Sequence, residues 1–307
     1  MPKMRILAID GGGIRGIYTA ILIERLEAET PGLLENVGLF AGTSTGGILA
    51  LGLASGRTPA QMAALYQTNA AKIFDDSWLD DLKDLGGLSG AEYGSEQLKQ
   101  VLAKEFGTQT LKELSPRRVL ISSFDLDNGE KDPKKRQWKP KFFHNFPGNG
   151  SDGKERMVDV AMYTSAAPTY FPAYQGYVDG GVVANNPSMA ALAQVLDKRT
   201  GKRVALKDVS LLSLGTGSSL KYISGQDNDW GFAQWVKPLI ELILDGSVGI
   251  ADYQCRQILR GRYHRLAPVF DPGTSIKMDD VKRIPELIGL AREVDLGETL
   301  EWLQQAW

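Results

Sequence analysis

The chain alternates between short apolar runs and longer stretches with apolar residues at helical spacing. Residues 5–9 form an almost unbroken apolar run, the pattern of a buried strand. Residues 15–29 then place Ile17, Ala20, Ile21, Ile23 and Leu26 at intervals that suit a helix. The alternation continues with a strand over 37–41 and helices over 46–55 and 58–72. Thr58-Pro59 is a good helix start, with the threonine as cap and proline at the first helical position. Further on, 95–106 reads as a helix, 118–126 and 137–145 as strands joined by a charged turn at 128–135, and 158–165 as a helix. Residues 174–178 read as a strand, 187–198 as a helix and 209–214 as a strand. Two final segments, 230–244 and 279–305, are helical, with Pro238 and Pro285 kinking or starting them. Such alternation predicts a mostly parallel α/β sheet with helices on both faces. Residues 74–90 and 147–154 read as loops, and the first could cover a site. There is no internal repeat.

Composition narrows the function classes. With 307 residues the chain makes one large domain or two small ones. A hydrophobic content of 43% with 23% charged residues is that of a soluble globular protein. The net charge of −2 gives no footprint for a nucleic acid polymer. It also gives no global attraction to anionic lipid, so any membrane contact must be local. Cys255 is alone and forms no intrachain disulfide. With two histidines and one cysteine, a histidine-rich metal site is not expected. No apolar run is long enough to span a membrane, and with the first strand placed almost at Met1 no leader is expected. A cytoplasmic protein is expected.

Three polar clusters carry candidate chemistry. Gly42-Thr-Ser-Thr-Gly46 lies between a strand-like run and a helical one, the G-x-S-x-G pattern at a strand-to-helix turn. A serine on such a turn has its hydroxyl pushed clear of the backbone, and the helix that follows brings its positive end near Ser44. An ordinary βα turn capped by Ser44 or Thr45 accounts for the same five residues. Asp10-Gly-Gly-Gly-Ile-Arg-Gly16 follows the first strand, and a glycine-rich turn entering a helix gathers N–H groups into an anion-binding nest. Gly11, Gly13 and Gly16 satisfy the dinucleotide fingerprint. That reading weakens because the second strand runs into the serine turn rather than an acidic residue, and because Arg15 sits inside the turn. No Gly-Lys-Ser/Thr closes the run, which excludes a Walker A loop. Asp179-Gly-Gly181 places an acid at a strand end; a simple β-turn is the plainer account of it alone.

Together, in this order, the three clusters resemble the patatin-like phospholipases, or lipid acyl hydrolases. Ser165-Ala-Ala-Pro-Thr-Tyr-Phe-Pro172, Asn185-Asn-Pro187 and Leu212-Ser-Leu-Gly-Thr-Gly217 also look like family segments. The resemblance covers roughly residues 5–217. It implies a three-layer α/β/α sandwich with a mostly parallel central sheet and a serine on a nucleophile elbow. Residues 1–307 are expected to form one domain, with a core over about 5–217 and a mainly helical part over 218–307. The resemblance implies a Ser–Asp dyad, Ser44 as nucleophile and Asp179 as its base. Gly11, Gly12 and Gly13 would supply oxyanion donors, and Arg15 would hold that loop or a phosphate head group. No metal or cofactor is implied. The expected substrate is a membrane phospholipid or galactolipid, met by peripheral contact. Some bacterial members of this family are defence effectors switched on by a cyclic nucleotide, so a small-nucleotide activator is a further implied partner. A nucleotide-binding module built on the glycine loop is the alternative from another class.

Other features have plainer readings. His144 and His264 read as structural histidines, although Ser44, Asp179 and His264 satisfy the order of a serine triad. Residues 230–244 are a candidate lipid-facing surface, for which a helix packed on the sheet is the simpler account. Lys131, Lys134, Lys135 and Arg136 form a basic run that could touch lipid head groups, for which a solvated turn is the simpler account.

Overall fold

A computed structural model describes residues 4–74, 91–200, 204–225 and 229–307. The expected covering loop lies, beyond Phe74, outside the described residues. Strands β1 (Met4–Ile9), β2 (Leu39–Thr43), β3 (Arg118–Asp125), β4 (Lys139–His144), β5 (Tyr177–Asp179), β6 (Val209–Leu214) and β7 (Tyr263–Leu266) form one sheet. Its order is β4-β3-β2-β1-β6-β7, with β5 also paired to β3. The four pairings from β3 across to β7 are parallel, and β4 and β5 run antiparallel to β3. The helices are α1 (Gly16–Glu29), α2 (Thr45–Ala54), α3 (Pro59–Ile73), α4 (Ser95–Phe106), α5 (Met157–Ser165), α6 (Gly181–Ala184), α7 (Ser188–Leu196), α8 (Phe232–Leu259), α9 (Ile284–Glu293) and α10 (Gly297–Ala306).

The central strands are apolar throughout because both faces are covered. Alternate residues point to opposite sides. Leu7, Ile9, Phe40, Val119, Ile121, Leu212 and Leu214 enter a core with α1 to α5, α9 and α10. Ile6, Ala8, Leu39, Ala41, Leu120 and Leu211 enter a second core with α7 and the end of α8, through Ala191, Leu192, Val195, Cys255 and Leu259. The fold is the expected mostly parallel α/β sandwich.

Four local expectations need correction. The second strand ends at Thr43 rather than 41, so the turn begins at Ser44 itself. The strand expected over 174–178 is confined to Tyr177–Asp179, because Gln175 and Gly176 both have positive φ and fold the chain into a turn. Tyr174 and Tyr177 close that turn with mutual backbone hydrogen bonds. The helix expected to end at 244 runs on to Leu259, and the C-terminal part contributes a strand, β7, beside β6. Residues 279–305 are two helices rather than one, separated at 294–296.

The register brings the polar clusters to one end of the sheet. Ile9 lies between Gly42 and Leu214, so the turns after β1, β2 and β6 leave neighbouring strands at their carboxyl ends. Ligands of open α/β sheets bind at that end. Thr43 pairs with Ser122, and the next residue of β3, Ser123, pairs with Asp179. The antiparallel β5 thus delivers its last residue to the same place.

Candidate active site

Ser44 sits at φ 54 and ψ −125, a conformation rare for a side-chain-bearing residue. The surrounding backbone imposes it. A Cβ on Gly46 would lie 2.3 Å from the Ile9 carbonyl oxygen, so α2 starts pressed against β1 as only glycine permits. The Ser44 N–H donates to Thr164 Oγ1 at 2.8 Å, and that hydroxyl donates to the Ser122 carbonyl at 2.6 Å. The turn is therefore pinned from α5 and β3, and the Ser44 side chain faces a cavity at the N-terminus of α2.

Asp179 lines the same cavity and is only 4% exposed. Its carboxylate accepts a hydrogen bond from the Gly181 N–H at 2.7 Å and interacts with the Ser44 hydroxyl as an acceptor. Burial raises its pKa to about 6, against the smaller opposing pull of Ser44 and Gly181.

The N–H groups of the glycine turn fall into two sets. Asp10 donates to Leu214 O, Gly11 to Asn185 O, Ile14 to Met278 O and Arg15 to Gly12 O. Gly12 and Gly13 have no acceptor among the described residues, and both line the cavity with Ser44. Buried N–H groups are rarely left unpaired. Gly12 is buried and Gly13 half-buried, and both present an N–H beside Ser44. The Gly11 N–H, by contrast, is already engaged by Asn185 O. Arg15 is tied into the turn. Its guanidinium donates to Gly217 O at 3.0 Å and to Gly12 O at 3.4 Å, which ties the turn to the loop after β6. Of the two roles that the resemblance implies for Arg15, the contacts are those of holding the loop.

Residues absent from the three motifs complete the frame. Arg265 of β7 forms a buried ion pair with Asp10 at 2.5 Å and donates to Ser213 Oγ at 2.7 Å. Thr216 donates to Gly11 O at 3.1 Å. Asn185 takes the Gly11 N–H on its carbonyl, which gives the Asn185-Asn-Pro187 segment a place at the site.

The cavity beside Ser44 measures about 100 Å³ and is almost wholly apolar, walled by Ile48, Ile73, Phe74, Phe171, Ile240 and Leu244 among others. A second, polar cavity of about 450 Å³ lies across the glycine turn and includes Arg15, Thr216, Asp245 and Lys277. The two share Tyr170, Asn185, Leu244 and Met278. Among the described residues, no cluster of His, Cys, Asp and Glu has the geometry to hold a metal ion.

Neither histidine reaches Ser44. His264 lies on β7, with Nε2 paired to Thr299 Oγ1 at 2.9 Å and its ring stacked on Trp302. His144 lies on β4, against Phe146. The triad order available in the sequence is not assembled in space.

The model of the Patatin family, patatin-like phospholipases, matches residues 7–192. This chain belongs to the patatin-like phospholipase family. A cGAMP-activated phospholipase from Pseudomonas aeruginosa is 32% identical over 92% of this chain and 83% of its own length. A cGAMP-activated phospholipase from Vibrio cholerae is 34% identical over 76% of this chain and 72% of its own. Patatin-like protein 1 from Oryza sativa subsp. indica is 28% identical over 81% of this chain and 69% of its own. The three glycine-containing turns that meet at Ser44 all fall within the patatin-like region, whereas Arg265, Thr216 and α8 lie beyond it.

Proposed function

We propose that this patatin-like protein hydrolyses carboxylic esters of glycerolipids through an acyl-Ser44 intermediate, with Asp179 as the only base. The observation that carries the reading is a buried carboxylate of raised pKa beside a strained serine, at the mouth of an apolar cavity with two unspent N–H donors. Ser44 Oγ attacks the acyl carbonyl carbon as its proton passes to Asp179. The carbonyl oxygen becomes an oxyanion held by the Gly12 and Gly13 N–H groups. Collapse of the tetrahedral species breaks the ester bond, and the leaving alkoxide takes the proton from Asp179. A water then gives its proton to Asp179 and attacks the acyl-serine. The fatty acid leaves and Ser44 recovers its proton. A carboxylate is a weak base for an alcohol in water, and desolvation strengthens it. The apolar cavity suits an acyl chain. Incubation with a mixed lipid extract, followed by mass spectrometry, is expected to show fatty acids and lysolipids. Release of neither contradicts the reading.

Two sets of variants test its parts. Gly13 has φ +58, and an added Cβ would meet the Met278 carbonyl oxygen at 2.1 Å. Gly13→Ala therefore displaces its own N–H, and kcat is expected to fall by about two to three orders of magnitude, the scale of one lost oxyanion donor. His144→Ala and His264→Ala are expected to keep kcat within about threefold, because neither ring touches the dyad. His264→Ala leaves the buried Thr299 hydroxyl unpaired and is expected to cost about 1–3 kcal/mol in denaturant unfolding.

The polar cavity favours a second reading, in which the lipase is switched by a small nucleotide. Two relatives carry that property in their names. Lys277 offers a cationic group there, and the cavity's wall is shared with the site through Asn185 and Met278. A rise in ester hydrolysis with added cGAMP, lost in Lys277→Ala, supports the switch. Turnover that is indifferent to cGAMP argues against it. We further propose a cytoplasmic enzyme working at a membrane surface; among the described residues no helix is long and apolar enough to cross one.

A further inference from the structure

Helix α8 carries two apolar faces, and the sheet uses only one. Ala251, Cys255 and Leu259 are buried against the sheet, while Ile240 and Leu244 wall the cavity beside Ser44. On the opposite side Trp235, Leu239, Leu242, Ile243, Ile250 and Tyr253 are exposed, Ile250 and Tyr253 by 63% and 65%. These six, with Gly246 and Gly249, follow the three-and-four spacing of one helical face, and no charged residue interrupts it. Glu241, Asp245, Asp252 and Arg256 lie toward the seam between the two faces, where Lys221 pairs with Glu241 and Arg256 with Asp252. Lys221 thereby holds a loop against α8 whose own Leu220 and Tyr222 are 72% and 92% exposed. Soluble proteins rarely leave so continuous an apolar patch open unless it binds something.

We propose that the outer face of α8, extended by Leu220 and Tyr222, is the surface with which this protein lies on a neutral or zwitterionic lipid interface. The proposal rests on the lipid-hydrolase reading for its meaning. Continuity is the first argument for lipid. Leu239 and Ile243 on the outer face are adjacent in the chain to Ile240 and Leu244 on the cavity wall, so a lipid tail under the outer face is one helix width from the acyl cavity. Charge is the second. The seam is mostly acidic, its described cations Lys221 and Arg256 are paired with carboxylates, and the chain carries a net −2, so this face offers anionic head groups no excess of positive charge. Aromatic placement is the third. Trp235 and Tyr253 stand near the two ends of the stripe, about 27 Å apart along the axis, and such side chains favour the water–lipid boundary. A helix of this kind lies in the interface plane rather than crossing it.

Flotation with phosphatidylcholine vesicles tests the proposal in the Ser44→Ala protein, which leaves the lipid intact. That protein is expected to float with the vesicles. Partitioning should change less than about threefold on adding anionic lipid or about 0.5 M salt. Leu239→Glu, Ile243→Glu and Ile250→Glu combined should weaken partitioning at least about a hundredfold, with thermal unfolding unchanged. With Ser44 restored, the triple variant should hydrolyse a soluble short-chain ester at the parental rate and vesicle phospholipid far more slowly. If Ser44→Ala protein floats, the triple variant does not, and the parent hydrolyses no ester, the hydrolase reading fails while the docking surface stands. Equal flotation with and without the three glutamates overturns the proposal, as does flotation only with anionic vesicles. A parent dimer that the glutamates dissociate, with no vesicle binding, assigns the face to a second copy of the chain and also overturns it.

Discussion

Replacing Ser44 with alanine is expected to reduce ester hydrolysis by at least about four orders of magnitude, the scale of a lost nucleophile. The loss should fall on kcat, with substrate binding retained, because the apolar walls of the cavity are untouched. The fold should survive. The φ of 54 at this position is dictated by Gly46 against β1 and by the Ser44 N–H bond to Thr164, and alanine keeps both. Steady-state kinetics beside a denaturant titration separates the two effects. Substantial turnover in a folded Ser44→Ala protein contradicts the mechanism, since the described residues near the dyad offer no histidine to recruit another nucleophile.

The second large effect belongs to Asp179. Asp179→Asn is expected to lose activity to a similar extent, and to gain stability. Burial raises the carboxyl pKa from 3.8 to about 6 in the folded protein. Between about pH 4 and pH 6 the unfolded chain has released this proton while the folded chain retains it. The stability contributed by the protonated acid is complete below about pH 4 and is lost as the pH rises through about 6. Asparagine has no proton to lose and still accepts from the Gly181 N–H. The variant should match the parent near pH 4 and exceed it by up to about 3 kcal/mol above pH 7. The parent's kcat/KM should run the other way, rising about tenfold per pH unit to a plateau above about pH 6, as a base of that pKa requires. A stability difference that does not depend on pH contradicts the assignment of the raised pKa to Asp179.

Much of this site is legible in the sequence, for a physical reason. Turns at the carboxyl ends of parallel strands leave the sheet together, so Gly11 to Gly13 and Ser44 are neighbours once β1 and β2 pair. Strand–helix alternation alone predicts that pairing. Asp179 is reachable by the same logic, although its strand has only three residues and is preceded by the Gln175-Gly176 turn, which the aromatic run of residues 170–177 conceals.

What the sequence hides is settled by tertiary partners. The Gly11 N–H looks equivalent to those of Gly12 and Gly13 until Asn185 takes it. Arg15 looks available to an anion until Gly12 and Gly217 accept its donors. Arg265 sits 255 positions from Asp10, in a strand whose four residues, Tyr-His-Arg-Leu, show no clean apolar run. Helix α8 continues past Leu244 through Gly246 and Gly249, which are poor helix formers; packing of Ala251, Cys255 and Leu259 carries it onward.

The central claim is that Ser44 is activated by Asp179 alone. Labelling by a fluorophosphonate, read by peptide mass spectrometry across pH, tests it most directly. A single adduct on Ser44 is predicted, forming at a rate that rises through about pH 6. It should be absent in Asp179→Asn and undiminished in His144→Ala and His264→Ala. An adduct on another serine, or labelling of Ser44 that survives Asp179→Asn and vanishes in His264→Ala, contradicts the account.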